Sequence, residues 1–183
     1  MEEFDMKITI ITGSPRKHGN SNHLADQFIK GAEEAGHQIF RFDAANQKFS
    51  GCIGCLKCQY NGPCVFNDDF EQMLREKVID ADCIVFASPV YWFGFSWQIK
   101  KAIDRFNAIY MPINQMGKKA VLLLTQNNTD EHVSDPIKLE FEHIVDFLGW
   151  KNSGELVATG VGPVGAVNDT DFSKRAYEMG HNI

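Results

Sequence analysis

Short runs of apolar residues alternate along the chain with segments whose apolar residues recur every three or four positions. Runs of the first kind are typical of buried β-strands, and the second spacing is typical of helices that pack one face on a core. Residues 7–12 (KITIIT) form the first predicted strand, and residues 21–35 form the first predicted helix. We expect Asn20 or Ser21 to cap this helix, because short polar side chains accept hydrogen bonds from the first N–H groups.

The same alternation continues to the end of the chain. Further strands are predicted at residues 37–42, 82–87, 119–125 and 155–159, and further helices begin near residues 68, 96, 134 and 170. Strands that alternate with helices indicate one α/β domain over residues 1–183, with a doubly wound five-stranded parallel sheet of order 2-1-3-4-5 in a three-layer α/β/α arrangement. Ligands of such sheets bind beyond the carboxyl ends of the strands. The loops after strands one, three and four are therefore the candidate site.

Composition narrows the possible function classes. The 183 residues carry a formal net charge of −6, and no segment concentrates Lys and Arg. Duplex nucleic acid is not expected as a partner, because binding to phosphates requires clustered cations. No run approaches the roughly 20 apolar residues of a membrane span, and residues 1–5 do not begin a secretion signal. We expect a cytoplasmic protein without a membrane partner, whose five cysteines stay reduced for metal, cluster or redox chemistry.

The loop after the first strand is rich in groups that bind an anion. It joins a buried strand to a helix N-terminus, where free N–H groups and the helix dipole favour negative charge. Gly13 and Gly19 let the backbone approach a ligand, and Arg16 supplies a guanidinium that suits phosphate. Short polar side chains add donors: Ser14, Asn20 and Ser21. The loop lacks both glycine motifs of nucleotide-binding folds, so a terminal monophosphate is expected; an ordinary capped turn is the alternative.

Four aromatic residues occupy five positions directly after the third strand, within residues 88–96 (SPVYWFGFS). Pro89 stiffens the exit from the strand. Backbone N–H groups of residues 91–94 could donate to a flat heterocycle, and the aromatic side chains could cover its faces. An aromatic cluster that packs the domain or a dimer interface is the alternative. The position beside the anion-binding loop favours the ligand.

Four cysteines follow one another within thirteen residues as C-x2-C-x2-C-x5-C: Cys52, Cys55, Cys58 and Cys64. Compact spacing of this kind suits a [4Fe–4S] cluster, although the last spacer is longer than that of the ferredoxin run. A four-cysteine zinc site usually has two separated C-x2-C pairs, and a redox pair needs only two thiols. Cluster, other metal and free thiols therefore remain open. Cys83, inside the third strand, is expected to be a buried apolar residue.

The segments GSPRKHGNSN, GCIGCLKC and SPVYWFGFSWQIKKAIDR resemble the NADPH-dependent FMN reductase and iron–sulfur flavoprotein family over nearly the whole chain. The resemblance implies a flavodoxin-like fold with FMN as cofactor. It implies that the FMN phosphate is held by Ser14, Arg16, Asn20, Ser21 and Asn22. It implies that the isoalloxazine ring is held by Pro89, Val90, Tyr91, Trp92, Phe93 and Gly94. It also supports a cluster, possible ligands Cys52, Cys55, Cys58 and Cys64, that relays electrons to FMN.

One segment departs from the pattern of the family. Relatives often carry small, glycine-rich residues after the fourth strand, where this chain has residues 125–128 (TQNN). Thr125 and the following amides are expected to contact the flavin edge, in a pocket that is narrower or differently used. Asp104 and Arg105 are expected to form a surface pair, and Lys118 is expected to be solvated.

The function implied by the resemblance is an oxidoreductase that transfers hydride from NAD(P)H to FMN and then reduces an unknown small acceptor, such as a quinone or a flavin. The flavin carries this chemistry, so no catalytic side chain is predicted. One alternative is an electron carrier that exchanges single electrons with a redox protein through FMN and a cluster. Another is a redox sensor that uses the cysteine loop as a switch. Family members are commonly dimers or tetramers, and a homodimer or homotetramer is expected.

Overall fold

The computed structural model describes residues 5–183. Its strands are β1 Lys7–Thr12, β2 Gln38–Asp43, β3 Cys83–Tyr91, β4 Gly94–Phe95, β5 Lys119–Thr125 and β6 Lys151–Ala158. Its α-helices are α1 Asn20–Glu34, α2 Asp69–Met73, α3 Trp97–Asp104, α4 Tyr110–Ile113, α5 Asp135–Phe147 and α6 Asp171–His181. A π-helical turn, Leu74–Val78, continues α2, and 3-10 turns follow α3 at Arg105–Ile109 and precede α5 at Glu131–Ser134.

Five strands form a parallel sheet in the order β2-β1-β3-β5-β6, which confirms the predicted topology. The sixth strand, β4, was not predicted. It pairs antiparallel with the end of β3, with Val90 opposite Phe95 and Tyr91 opposite Gly94. The segment after the third predicted strand is therefore a hairpin rather than a loop. Because β1 and β3 are neighbours while their crossovers lie on opposite faces, their carboxyl ends open a crevice.

Both faces of the sheet are covered by helices, because successive side chains of a strand point to opposite sides. Ile84 and Phe86 of β3 belong to an apolar cluster with residues of α2, α3 and α5. Val85 between them belongs to a second cluster with residues of α1 and α6. This arrangement confirms the three-layer prediction and makes β3 a rigid support for whatever binds at its end. None of the helices within residues 5–183 is both long and apolar enough to cross a membrane.

Two local predictions are wrong: that Asn20 or Ser21 caps α1, and that Lys118 is solvated. In both cases a buried polar group forms hydrogen bonds with a distant part of the fold. Gly19 occupies the cap position of α1 and no side chain caps the helix, because Asn20 and Ser21 already lie in its first turn and bond to other loops. Lys118 is 6% exposed rather than solvated, and its ammonium donates to the carbonyl of Ile79 at 2.7 Å. Burial lowers the pKa of Lys118 from its ordinary value.

Candidate functional site

A cleft of about 230 Å³ opens at the carboxyl ends of β1, β3 and β5. We call it the strand-end cleft. It is lined by Ser14, Arg16, Gly19, Asn20, Ser21, Pro89, Val90, Tyr91, Thr125, Gln126, Asn127, Val161 and Gly162. The three loops singled out by the topology therefore meet at one site, together with a fourth loop that follows β6.

One end of the strand-end cleft is suited to an anion. The 15-residue helix α1 begins there with no acidic residue in its first turn, and its first N–H groups have no acceptor within the helix. Gly19 keeps the turn tight, because a Cβ atom at this position would lie 2.6 Å from Ser14 Oγ and 3.0 Å from the Arg16 carbonyl oxygen. The exposed guanidinium of Arg16 lies beside these groups and donates to the Gly162 carbonyl at 3.3 Å.

The floor of the cleft is formed by two buried hydroxyl groups. Ser21 Oγ and Thr125 Oγ1 lie 2.7 Å apart and share one hydrogen bond. This bond joins the first turn of α1 to the end of β5, so the positions of the two loops are coupled. Ser14 Oγ accepts a hydrogen bond of 3.3 Å from the Arg16 N–H. Since each hydroxyl both donates and accepts, these side chains keep capacity for a ligand oxygen.

Asn20 lines the cleft and Asn22 lies in the same first turn of α1, but the amide donors of both side chains are already used. Asn20 Nδ2 donates to the carbonyls of Val161 and Pro163 at 2.5 and 2.8 Å, and its Oδ1 accepts from Gly165 N–H. Asn22 Nδ2 donates to the Arg16 carbonyl at 2.9 Å. In the structure these side chains organise the loops, and direct contact with a phosphate stays a prediction.

The fourth wall of the cleft was not anticipated from the sequence. Val161 and Gly162 follow β6 and are fastened to the first loop by Asn20 and Arg16. The available signal was the run of glycines at positions 160, 162 and 165. Because the loop after the fourth predicted strand lies next to the loop after the fifth, both line the same cleft at the carboxyl edge of the sheet.

The aromatic segment is a two-residue hairpin with unusual central residues. Trp92 and Phe93 both have positive φ, 50° and 62°, the conformation of a turn that normally contains Asn or Gly. Left-handed backbone costs a non-glycine residue roughly 1–2 kcal/mol. Of the predicted ring-binding residues, Pro89, Val90 and Tyr91 line the cleft. Trp92, Phe93 and Gly94 do not, and Trp92 is 96% exposed; their contact with a ring stays a prediction.

Two buried serines hold the hairpin against the first loop. Ser96 Oγ donates to the Gly13 carbonyl at 2.8 Å, and Ser96 N–H donates to Ser88 Oγ at 3.2 Å. Both side chains are fully buried. They fix the end of β3 relative to the first loop, and no local pattern in the sequence marks either serine for this role.

A buried acceptor without a partner shows what the cleft is suited to bind. Gln126 donates from Nε2 to the carbonyls of Asn128 and Asp130, at 3.1 and 2.7 Å. Its Oε1 is buried and makes no hydrogen bond. A cleft with an end suited to an anion and a buried acceptor without a partner suits a heterocycle that carries N–H or O–H donors and a phosphate tail. FMN has these features, so the residues present fit this cofactor.

The four cysteines of the compact motif lie around a second cavity, of about 80 Å³. We call it the cysteine pocket. Cys52, Cys55, Cys58 and Cys64 all line it, together with apolar side chains and Arg105, and all four thiols are free. Its lining residues are different from those of the strand-end cleft. Between the cysteines the backbone is left-handed at Leu56, Gln59, Tyr60 and Gly54.

The four thiols do not converge as ligands of one metal ion would. Within residues 5–183 no group of three or more His, Cys, Asp or Glu side chains is arranged to hold a single ion, as a zinc site requires. A four-iron cluster is different, because each thiolate binds its own iron and the thiolates surround the cluster from a greater separation. Four free cysteines around one mainly apolar cavity fit such a cluster.

The prediction that Asp104 and Arg105 form a surface pair is wrong, because Arg105 is buried. It is 1% exposed, and its guanidinium makes two hydrogen bonds of 3.0 Å to the Asp68 carboxylate rather than to Asp104. Burial opposes the charge of Arg105, but the hydrogen bond and charge of Asp68, with smaller contributions from Cys64 and Glu71, raise its pKa. No local sequence pattern marks this pair, because the two residues lie 37 positions apart.

The remaining cysteine behaves as predicted. Cys83 lies in β3 and is fully buried. Burial raises the pKa of its thiol to about 12, so it stays protonated at neutral pH and is a packing residue rather than a redox group.

Comparison with known proteins places this geometry in context. Residues 6–139 match the model of the NADPH-dependent FMN reductase family. The chain is 30% identical over 178 residues to an iron–sulfur flavoprotein of Archaeoglobus fulgidus, covering 97% of this chain and 79% of the relative. It is 37% identical over 129 residues to an iron–sulfur flavoprotein of Methanocaldococcus jannaschii, covering 69% of this chain and 66% of the relative.

Two solved structures share the fold over almost their whole length. An NAD(P)H:quinone oxidoreductase from Methanothermobacter marburgensis superposes with a TM-score of 0.78 at 19% identity, covering 98% of this chain and 96% of the other. An FMN-dependent NADH-azoreductase from Bacillus anthracis, solved with FMN, superposes with a TM-score of 0.68 at 15% identity, covering 97% and 98%. At these identities the likeness shows the flavodoxin-like fold alone.

Proposed function

This chain belongs to the NADPH-dependent FMN reductase family, and we propose that it binds FMN in the strand-end cleft and acts as an NAD(P)H-dependent oxidoreductase toward a small acceptor such as a quinone. The observation that carries the proposal is the convergence of an anion-binding helix terminus, the end of β3 and a buried orphan acceptor on one cleft. FMN supplies the hydride and electron chemistry when it is bound.

The residues of the chain bind and orient the cofactor. The first turn of α1, with Ser14, Ser21 and Arg16, holds the phosphate, where a cation and free N–H groups complement its charge. Pro89, Val90 and Tyr91 support the ring from β3, and Thr125 borders it on the other side. Gln126 Oε1 accepts a hydrogen bond from a ligand N–H or O–H, which relieves its buried unpaired state.

The test is reconstitution of the purified chain with FMN, followed by assays with NADH and NADPH. We expect one FMN per chain and a steady oxidation of the nicotinamide that depends on FMN and on a quinone or azo acceptor. A mixture without the acceptor and a mixture without the protein are the controls. Failure to bind FMN after reconstitution would overturn the proposal, whatever the cysteines hold.

A second candidate function is an electron carrier with FMN and a [4Fe–4S] cluster. It is favoured by the four free cysteines around one cavity and by the relatives named iron–sulfur flavoproteins. Helix α3 begins beside the aromatic hairpin and is followed directly by Arg105 at the cysteine pocket. Its eight residues span about 12 Å, so the two candidate redox sites lie near opposite ends of one short helix.

Oxygen-free purification with assays for flavin, iron and acid-labile sulfide distinguishes the two functions. About four iron and four sulfide per chain, with electron uptake from a reduced ferredoxin, would support the carrier. FMN without iron, with turnover of NAD(P)H and a quinone, would leave the oxidoreductase alone. A change of oligomer size that depends only on thiol oxidation would support a sensor instead.

The exposed side chains support a proposal on assembly and location, that the chain is a cytoplasmic homodimer or homotetramer. Trp92, Phe93 and Trp97 are all more than half exposed beside the end of β3, which suits burial against a second copy in a homodimer or homotetramer. Cys52 and Cys55 are exposed free thiols, which suits the reducing cytoplasm. Light scattering of the FMN-loaded protein measures the oligomeric state, and a monomer would contradict the assembly.

A further inference from the structure

The two ends of the cysteine segment are held together by one buried side chain. Arg105 Nη1 donates to the carbonyl of Ser50 at 2.8 Å, just before the first cysteine. Its Nη2 lies 3.4 Å from the carbonyl of Phe66, just after the last cysteine. Because Arg105 follows α3 and that helix packs on the sheet, this contact fixes the mouth of an otherwise irregular loop to the core of the fold.

A second bond system fixes the segment near the last cysteine. The N–H of Cys64 donates to Glu71 Oε1 at 3.2 Å. Arg75 donates to the same oxygen at 2.9 Å and to the Gly62 carbonyl at 2.6 Å. Glu71 also faces Arg105, at 3.6 Å. The two arginines and the two carboxylates of Asp68 and Glu71 balance each other, so the network holds the loop without adding net charge.

One donor of Arg105 has no partner in this network. Its Nε is buried and makes no hydrogen bond, although the side chain lines the cysteine pocket. An unpaired buried donor is destabilising, and a charged group in a buried site demands partners more strongly still. Most of the side-chain acceptors that line the pocket are sulfur atoms, those of the four cysteines, and the others are the hydroxyl of Tyr60 and the amide oxygen of Asn107.

We propose that Arg105 is a positioning residue of the cysteine pocket, which closes the cysteine segment and donates its free Nε–H to a sulfur atom of a bound iron–sulfur cluster or its thiolate ligands. The proposal rests on the second candidate function, that the pocket binds a cluster. Hydrogen bonds and positive charge at the sulfurs stabilise the more negative, reduced state of a cluster. Arg105 therefore raises the reduction potential.

Lysine cannot replace this geometry. The planar guanidinium reaches Asp68 with two nitrogens and the Ser50 carbonyl with one of them, and its third nitrogen, Nε, stays without a partner, whereas an ammonium is a single point of charge. An Arg105→Lys variant keeps the charge and loses the Nε–H. An Arg105→Gln variant loses both. The order of the two effects separates hydrogen bonding from charge.

The experiment uses the full chain, purified without oxygen and reconstituted with iron, sulfide and FMN. Iron and sulfide content are measured first, and the cluster potential is then found by titration with dithionite, followed by electron paramagnetic resonance. Arg75→Lys is the matched control, because Arg75 also holds the loop by a carbonyl but does not line the pocket. FMN content reports whether each variant has kept its fold.

We expect a more negative potential for Arg105→Lys than for the wild type, and a still more negative one for Arg105→Gln, with FMN content unchanged. Arg75→Lys is expected to lose cluster without shifting the potential of what remains. A cluster in Arg105→Lys and Arg105→Gln with the wild-type potential would overturn the proposal. So would a wild-type protein that binds FMN but no iron and sulfide, a result that leaves the oxidoreductase function standing.

Discussion

The strand-end cleft and the cysteine pocket differ in what holds their walls in place. The cleft lies at the ends of three parallel strands, and bonds such as that between Ser21 and Thr125 join its loops directly to the sheet. The pocket lies in a segment without helix or strand, between β2 and α2, and depends on the buried ion pair of Arg105 with Asp68. A regular framework needs little besides packing to present a site, whereas an irregular loop needs its own polar fastening.

The largest expected effect is the loss of stability when the ion pair of Arg105 with Asp68 is broken. Asp68→Asn removes the carboxylate that makes two hydrogen bonds to Arg105 and leaves only Glu71, at 3.6 Å, to face its charge. Breaking a fully buried pair costs about 3–5 kcal/mol, which is the upper bound here because Asp68 is partly exposed. Chemical denaturation of the wild type and the variant measures how far the substitution lowers the free energy of unfolding. Asp69→Asn is the control, because Asp69 is next to Asp68 in the sequence and its own side chain is exposed. Equal stability of the two variants would show that the ion pair does not hold the pocket.

The next effect falls on the strand-end cleft. Gly19→Ala places a Cβ against Ser14 Oγ and the Arg16 carbonyl, and overpacking of this kind costs about 1–3 kcal/mol. We expect FMN to bind roughly 10- to 100-fold more weakly, since each 1.4 kcal/mol is about tenfold. Quenching of flavin fluorescence measures the affinity. Gly51→Ala, whose Cβ meets only the flexible Lys101 side chain at 3.3 Å, should bind FMN normally.

A smaller effect tests the anion-binding end alone. Arg16→Gln removes an exposed cation, and we expect FMN affinity to fall by about tenfold, or ~1.4 kcal/mol, because solvent screens the charge. Riboflavin lacks the phosphate, so its affinity should not change. Lys17→Gln is the matched control on the same loop. A parallel loss of riboflavin affinity would mean that Arg16 shapes the ring site instead.

The smallest effect is a dependence on pH. Burial favours the neutral form of Asp68, but its hydrogen bonds to Arg105 and to the Glu71 N–H, with the charge of Arg105, lower its pKa from the ordinary 3.8. A lowered pKa in the folded state gives stability that is present above pH 3.8 and is lost as the pH falls through the folded value. The unfolding free energy should therefore drop more steeply in acid for the wild type than for Asp68→Asn. Parallel curves would exclude this contribution.

The sequence by itself determined the sheet and the location of the chemistry. Apolar runs and helical spacing predicted the five parallel strands and their order, because the period of side-chain burial is local to each element. The residues of the first loop and the end of β3 were placed at one site, because the carboxyl ends of neighbouring parallel strands must meet. The compact spacing of the four cysteines allows a shared site or free thiols, and in the fold all four line one cavity.

Only the tertiary structure decided which polar groups would be buried together. Asn20 meets Val161 across 141 positions, Arg105 meets Asp68 across 37, and Lys118 meets Ile79 across 39. No local pattern marks such pairs, because a buried donor takes whichever acceptor the packed fold brings within reach. The hairpin at Trp92 and Phe93 is likewise not predictable from the sequence, because neither residue favours a left-handed turn. The pairing of β3 with β4 imposes this conformation.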